Sequence, residues 1–281
     1  MSASSPLPRI HTAARPGVAH SLNEDLIITL PNAVIVLDGA TSVEHGPGSG
    51  GWYADVLGRA LARRLPAPRC SLPHLLADAI ADIVRTHQLQ PSRSPSAALT
   101  MTRWDDNHVD ALVLCDTTLA VLDGDNEVML LHDDRLHRID NPVRAAYLRS
   151  IGDGASFDSE RLREMQAITR AHRNRDGGYW VAEATPDAAF HALCHSWPRE
   201  QVHALALATD GAASAVTPYQ VMSCWPQLIA AVLEHGPDTV LDAAHHAEAG
   251  DLRARRWPRF KVHDDKALAI ADFTTPSGAA S

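Results

Sequence analysis

Acidic residues stand at one end of each of five short apolar runs, and this pattern restricts both the fold and the chemistry of the chain. Residues 33–37 are apolar and rich in β-branched side chains, and the run stops at Asp38. Such a run is typical of a buried strand, so the acid would lie at the rim of a sheet and face a cleft. The other acidic ends are Glu24-Asp25 before residues 26–30, Asp116 after 112–115, Asp210 after 204–209, and Asp264-Asp265 before 267–270.

The hydrophobic periods predict an α+β fold. Between residues 96 and 139 the period is two, and Asp-rich turn signals at 105–107 and 123–126 separate antiparallel strands. Consecutive antiparallel strands argue against a parallel sheet with crossover helices. The predicted strands are 26–30, 33–37, 97–103, 109–115, 118–122, 128–132, 202–209 and 267–273; the predicted helices are 52–65, 72–87, 142–149, 159–173, 219–234 and 237–249.

One domain is expected, because the acids that belong together come from both ends of the chain. Residues 1–22 are predicted to be a flexible entry segment, 23–274 the single domain, and 275–281 a disordered tail. A formal net charge of -9 argues against a nucleic-acid partner. No apolar stretch approaches the roughly 20 residues of a membrane span. Four scattered cysteines fit a reducing cytoplasm. The oligomeric state stays open.

Grouped carboxylates repel one another and persist only with a counter-charge. No lysine is near Asp38 or Asp210 in the sequence, so we expect the counter-charge to be a metal. Oxygen ligands without cysteine or spaced histidines suit Mg²⁺ or Mn²⁺. Two such ions, about 3.5–4 Å apart, can activate water and neutralise a phosphoryl group, and Asp38 is placed to bridge them. Gly39 would let its carbonyl approach an ion closely.

The order and spacing of these acids resemble the metal-dependent protein phosphatases of type 2C, in particular divergent bacterial members. The likeness runs from about residue 23 to residue 273, nearly the whole chain. Each motif is weak alone, and their order is what makes the resemblance specific. The matching positions are Asn23-Glu24-Asp25, residues 36–39, Gly50-Gly51, Ser96-Ala97-Ala98, Cys115-Asp116-Thr117, residues 208–211 and His263-Asp264-Asp265.

The resemblance implies a four-layer αββα sandwich of two antiparallel sheets flanked by helices. It also implies a hydrolase of phosphoserine or phosphothreonine in proteins that uses hydroxide held between two Mn²⁺ or Mg²⁺ ions. The roles it assigns are a bridging ligand (Asp38), a carbonyl ligand (Gly39), ligands of one ion (Asp210 and either Asp264 or Asp265), residues that orient bound water (Glu24, Asp25), and a ligand for a third ion (Asp116).

The sequence departs from the family pattern where the substrate phosphate would bind. The family's arginine, five residues before the first Asp, is His20 here, so Arg15 or a protonated His20 is expected to take its place. Residues 136–160, where a substrate-selecting flap would fall, match no pattern. These departures leave an alternative open, in which the chain is a weak or inactive module of the same fold that senses or binds a partner.

Other motif readings are weaker. A haloacid dehalogenase-type phosphatase needs a nucleophilic Asp where this chain has Val36. Gly46, Gly48 and Gly51 fit a dinucleotide-binding spacing, but they lie well past the strand, and Pro47 removes one N–H donor. Asp123 and Asp125 lack the rest of a calcium loop and fit a hairpin turn.

Overall fold

Two five-stranded antiparallel sheets form the centre of the fold. The computed structural model describes residues 7–19, 21–40, 48–67 and 70–274. The first sheet contains, in spatial order, β1 (Arg9–Arg15), β10 (Lys266–Asp272), β9 (Ala204–Ala208), β6 (Thr118–Leu122) and β7 (Val128–His132). The second contains β2 (Asp25–Leu30), β3 (Ala33–Gly39), β4 (Ala97–Trp104), β5 (His108–Leu114) and β8 (Leu193–Pro198).

The continuous apolar run of β3 is explained by burial on both of its faces. Val34 and Val36 pack between the sheets, against Leu205 and Leu207 of β9. The alternate residues of β3 point to the opposite side and pack against helices. Side chains alternate along a strand, so a strand covered on both faces has no polar stripe.

Helices cover the outer face of each sheet and complete four layers. The β2–β3–β4 side is covered by α1 (Gly50–Arg64) and α2 (Leu72–His87). The other sheet is covered by α6 (Trp225–His235) and α7 (Asp238–Ala249), which follow the short α5 (Asp210–Ala213). The predicted αββα sandwich is therefore confirmed. Within the described ranges, no helix is long and apolar enough to cross a membrane.

A helical hairpin projects from the sandwich between β7 and β8. It consists of α3 (Pro142–Gly152) and α4 (Ser159–Arg170). Asn141 caps α3 by accepting a hydrogen bond from the N–H of Arg144, and its amide donates to the carbonyl of Met165 in α4 at 3.2 Å. One residue therefore fixes the start of α3 and joins the two helices. The hairpin includes most of residues 136–160, the region that matched no family pattern.

Several sequence expectations are wrong at the edges of the fold. The entry segment 1–22 is not loose throughout, because it contains β1, which pairs with β10 from the other end of the chain. Edge strand β8 was not predicted. Helix α6 begins at Trp225 rather than at residue 219, since Pro226 is in its first turn, where proline is favoured. Helix α4 ends at Arg170 rather than at residue 173. The expected tail, 275–281, lies outside the described residues.

Candidate active site

The second sheet brings two of the acids side by side. Asp25 begins β2 and lies opposite Asp38 in the antiparallel register with β3. Asp25 is buried and Asp38 is partly exposed. One oxygen of Asp25, Oδ2, is buried without a hydrogen-bond partner among the described residues. A buried carboxylate oxygen without a donor is costly, and a bound cation would relieve that cost.

The first sheet supplies two more acids through adjacent strands. Asp210 follows β9, and Asp264 precedes β10, which pairs with β9. Thr209 fastens the two strands together here: its N–H donates to the carbonyl of Ala267 at 3.1 Å, and its Oγ1 accepts from the N–H of Ala267 at 2.9 Å. The buried hydroxyl of Thr209 also donates to the carbonyl of Ala267 at 3.4 Å. Thr209 therefore holds the strand ends that carry Asp210 and Asp264 in register.

Asp116 lies where the chain crosses from the second sheet to the first. It follows Cys115 in the connection between β5 and β6, and Cys115 has a φ of 69°. This left-handed conformation is uncommon for a residue with a side chain and occurs here in a sharp turn. Because β6 pairs with β9, Asp116 lies at the same end of the sandwich as Asp210.

The electrostatics show that these carboxylates act on one another. Desolvation raises the pKa of Asp25, Asp38 and Asp116, and neighbouring acids raise each of them further. Desolvation and the charge of Asp116 raise the pKa of Asp210, and the ammonium of Lys261 opposes that shift. Asp210 is exposed at the floor of a cavity, so its desolvation reflects the concave surroundings. Desolvation and Asp210 raise the pKa of Asp264 to about 6.

One sequence expectation about this cluster is wrong, because a lysine does reach it. Lys261 forms an ion pair with Asp264. Partial burial opposes its charge, but the carboxylates of Asp264, Asp38 and Asp210 raise the pKa of Lys261 overall. The sequence prediction failed because Lys261 is remote from Asp38 and Asp210 along the chain. Its position three residues before Asp264 was the available signal.

The two consecutive acids before β10 have different surroundings. Asp265 accepts a hydrogen bond from the N–H of Gly17 at 2.7 Å on one oxygen and from the N–H of Glu24 at 2.9 Å on the other. Both oxygens are therefore used to fasten the segment before β2. Asp264 instead interacts with Asp210 and Lys261. Of the two, Asp264 has the surroundings of a ligand and Asp265 those of a structural residue.

Close backbone packing fixes Gly39 beside Glu24. The N–H of Gly39 donates to the carbonyl of Glu24 at 3.2 Å. A Cβ on Gly39 would lie 2.6 Å from the carbonyl carbon of Gly50 and 2.8 Å from the carbonyl oxygen of Glu24. Only glycine allows the start of α1 to approach the end of β3 this closely. The Gly50-Gly51 match in the sequence thus corresponds to a real packing requirement.

The acids form the floor of a cavity of about 700 Å³. Asp38, Asp116, Asp210 and Asp264 line it, and helices α3 and α4 form a wall through Leu148, Leu162 and Met165. This volume is within the usual range of ligand pockets. Six cationic side chains also line the cavity: Arg93, Arg144, Arg170, Arg173, Arg259 and Lys261.

Arg144 lines the cavity and interacts electrostatically with one of the acids, Asp116. It is half-buried, and burial lowers the pKa of its guanidinium while the carboxylate of Asp116 opposes that shift. It forms no ion pair with a carboxylate in the described part of the chain, and its guanidinium lies 5.6 Å from the ring centre of Phe260. Sequence reasoning missed this residue because α3 matched no known pattern.

Arg15 and His20 are the two residues that were expected to bind the substrate phosphate. Arg15, on β1, is ion-paired with Asp242 of α7 and is not among the residues that line the cavity. Its role stays a prediction for which this geometry gives no support. His20 lies outside the described residues, so its role also stays a prediction.

A second group of potential ligands lies beneath the loop that carries Lys261. Atoms of His245, Glu248 and His263 lie within 4.8 Å of one another. Glu248, however, is fully buried and already accepts from Lys266 Nζ at 2.8 Å and from His263 Nδ1 at 2.9 Å. The rings of His245 and His263 stack at 4.0 Å. A cation here would lie next to the lysine ammonium, so we interpret this group as a structural ion pair.

The donor set on the cavity floor fits hard divalent cations. Five carboxylates interact with one another here. In the described part of the chain only one of them, Asp264, forms an ion pair, so four have no cationic partner at salt-bridge distance. All the side-chain donors are oxygens, the ligands that Mg²⁺ and Mn²⁺ prefer. The unpartnered Oδ2 of Asp25 adds a specific vacant acceptor.

Comparison with solved structures identifies the class of fold. The chain is similar to the serine/threonine phosphatase Stp1 from Staphylococcus aureus, with a TM-score of 0.59 and 13% identity over 95% of this chain and 96% of that one. It is similar to the catalytic domain of the phosphatase PstP in complex with two manganese ions, with a TM-score of 0.54 and 15% identity over 95% and 99%. PppA from Pseudomonas aeruginosa gives 0.55 and 16% over 96% and 99%.

These likenesses cover nearly the whole of each chain, so the fold is that of the bacterial type 2C serine/threonine phosphatases. The resemblance inferred from the order of the acidic motifs is thereby confirmed at the level of the fold. No protein-family model matches the sequence, and no curated protein matches it either. The chain is thus a divergent sequence on this fold.

Proposed function

We propose that this chain is a divalent-cation-dependent phosphomonoesterase, acting on phosphoserine or phosphothreonine in proteins. The observation that carries the proposal is the convergence of carboxylates from both sheets: Asp38, Asp116, Asp210 and Asp264 line one cavity, and the buried Asp25 interacts with them. Among the described residues, only Asp264 of these five acids forms an ion pair, with Lys261. Two manganese ions are present in the structure of the similar phosphatase PstP. By that likeness, Mn²⁺ or Mg²⁺ is the proposed cofactor here.

The proposed ligands follow from the positions of the acids. Asp38 interacts with Asp25 of its own sheet and with Asp210 and Asp264, which come from the other sheet, and it would be shared by two cations. Asp210 and Asp264 would hold one of them, Glu24 and Asp25 would orient water near the other, and Asp116 would serve a third ion. The Gly39 carbonyl would complete one ligand set. When bound, such cations supply the Lewis acidity that activates water and neutralises phosphoryl charge.

The chain's own residues would bind the substrate. Arg144 has a guanidinium with five N–H donors and forms no ion pair with a carboxylate among the described residues, which suits a phosphate group. We propose that it takes over the role of the missing family arginine. The apolar wall from α3 and α4 would contact the peptide around the phosphorylated residue. A phosphoprotein substrate is proposed because the similar structures are serine/threonine phosphatases.

The test is hydrolysis of an aryl phosphate with Mn²⁺, with Mg²⁺ and with a chelator. Asp38→Asn and Asp210→Asn should each abolish cation-dependent turnover and weaken Mn²⁺ binding by calorimetry. Asp78→Asn, on the exposed side of α2, is the matched control and should retain both. Turnover that persists in a chelator, or in Asp38→Asn, would refute the proposed site.

A second candidate function is favoured by one observation. The ion pair between Lys261 and Asp264 already neutralises part of the cluster, as a non-catalytic module of this fold would need. Such a module would bind a phosphorylated peptide without cleaving it. Phosphopeptide binding with no phosphate release in saturating Mn²⁺ would favour this alternative over the hydrolase.

A further inference from the structure

The loop between α7 and β10, residues 250–265, carries a lysine into the acidic cluster. Lys261 pairs with the Oδ1 of Asp264, and the side chain is 37% exposed. It also lines the cavity together with Asp38 and Asp210. An ammonium group therefore occupies part of the space that the carboxylates enclose.

The position of Lys261 is set by an anchored loop. The guanidinium of Arg259 donates to five acceptors: the carbonyls of Glu248, Asp251, Trp257 and Val262, and the Oδ2 of Asp251, at 2.6 to 3.1 Å. This set joins both ends of the loop to the end of α7. A guanidinium with five fixed donors holds a backbone more rigidly than a single flexible contact does.

The residues on either side of Lys261 are also held by packing. Phe260 stacks on Tyr147 of α3, with ring centres 6.0 Å apart and planes inclined by 16°. His263 is bonded to the buried Glu248. The backbone on both sides of Lys261 is thus fixed, while its long side chain keeps a route to solvent. The ammonium can leave the cluster without moving the loop.

We propose that the ammonium of Lys261 occupies one cation position of this centre when divalent ions are scarce, and that a divalent ion must displace it. This inference rests on the proposed function. A single positive charge at Asp264 removes a ligand from the incoming ion and repels it. The apparent affinity for divalent ions is then the intrinsic affinity reduced by the fraction of molecules in which Lys261 has swung out. Lys261 thereby sets the ion concentration at which the centre loads.

The test is Mn²⁺ binding by calorimetry on the full chain, without substrate. We expect Lys261→Met and Lys261→Gln to bind Mn²⁺ about tenfold more tightly than the wild type, because the competing charge is gone. Arg253→Met removes a positive charge from an exposed position of the same loop and should leave the affinity unchanged. Before Mn²⁺ is added, the Lys261 variants should also melt at a lower temperature than Arg253→Met, because the acids lose their ammonium partner.

The outcomes separate this inference from the proposed function. Equal or weaker Mn²⁺ binding by both Lys261 variants, with normal binding by the wild type, overturns the inference and leaves the phosphatase proposal standing. Tighter binding by Arg253→Met to the same extent would also overturn it, because the effect would then come from net charge. Absence of Mn²⁺ binding in the wild type and in all variants would remove both.

Discussion

Replacement of Lys266 by methionine should lower the free energy of unfolding strongly, because it leaves the buried carboxylate of Glu248 without its cationic partner. Glu248 and Lys266 are both 0% exposed, and their charged groups lie 2.8 Å apart. Removal of one partner from a buried ion pair typically costs about 3–5 kcal/mol. Glu248 would still accept hydrogen bonds from Tyr219 and His263. These bonds do not replace the positive charge of the lysine ammonium.

The assay is urea denaturation in the presence of a chelator, for the wild type, Lys266→Met, Glu248→Gln and the double variant. For a chain of 281 residues, a loss of about 3–5 kcal/mol also corresponds to a melting temperature lower by roughly 5–9 °C. The double variant should recover much of the loss, because no unpaired buried charge remains. Arg255→Met, an exposed cation of the neighbouring loop, is the control.

A loss below about 1 kcal/mol in Lys266→Met would refute this reasoning, since that is the range of solvent-exposed ion pairs. A double variant as unstable as Lys266→Met would also refute this reasoning, because the loss of stability would then come from altered packing and not from an unpaired buried charge. The ammonium also donates to the carbonyl of Asp264 at 2.8 Å. Lys266→Met should therefore weaken Mn²⁺ binding as well, through the position of Asp264.

The remaining predictions concern the cavity. Arg144→Met should raise the KM for an aryl phosphate about tenfold or more, since a charged hydrogen bond is worth about 1.5–3 kcal/mol, whereas Arg149→Met, exposed on the same helix, should leave KM unchanged. The metal-free protein should lose stability as the pH rises through about 6. Folding raises the pKa of Asp264 to about 6, so the folded state binds this proton more tightly than the unfolded state does. The resulting stabilisation is complete at acid pH and is lost as the pH rises past the folded-state pKa. Calorimetry from pH 4.5 to 7.5 should show a smaller slope for Asp264→Asn; an unchanged slope would exclude Asp264 as a source. Gly39→Ala should destabilise the fold, because the added Cβ would lie 2.6 Å from the backbone of Gly50; urea midpoints equal to wild type would contradict the close packing.

Local patterns were enough to predict the interior of the sandwich. The strand at Ala33–Gly39 and the helix at Leu72–His87 were readable because apolar periodicity reflects which faces are buried. The acids at strand ends were readable for the same reason, since each follows or precedes a buried run. Their order along the chain then indicated the fold that the solved structures share.

Edge strands gave weaker signals. The side chains of β1 alternate between exposed and partly exposed, and its pairing partner, β10, lies at the other end of the chain. A strand with one neighbour has little apolar patterning, so its existence depends on a partner that sequence reading cannot place. The same holds for β8, whose residues are mostly exposed or partly exposed.

The amino-acid order thus determined the buried strands, the covering helices and the presence of acids at one end of the sheets. Tertiary structure alone decided the partners of those acids. It turned Asp265 toward two backbone N–H groups and Asp264 toward Lys261, and it brought Arg144 over the same cavity. The physical reason is range: periodicity records burial within a few residues, whereas charge pairing depends on distances in space between segments that are remote along the chain.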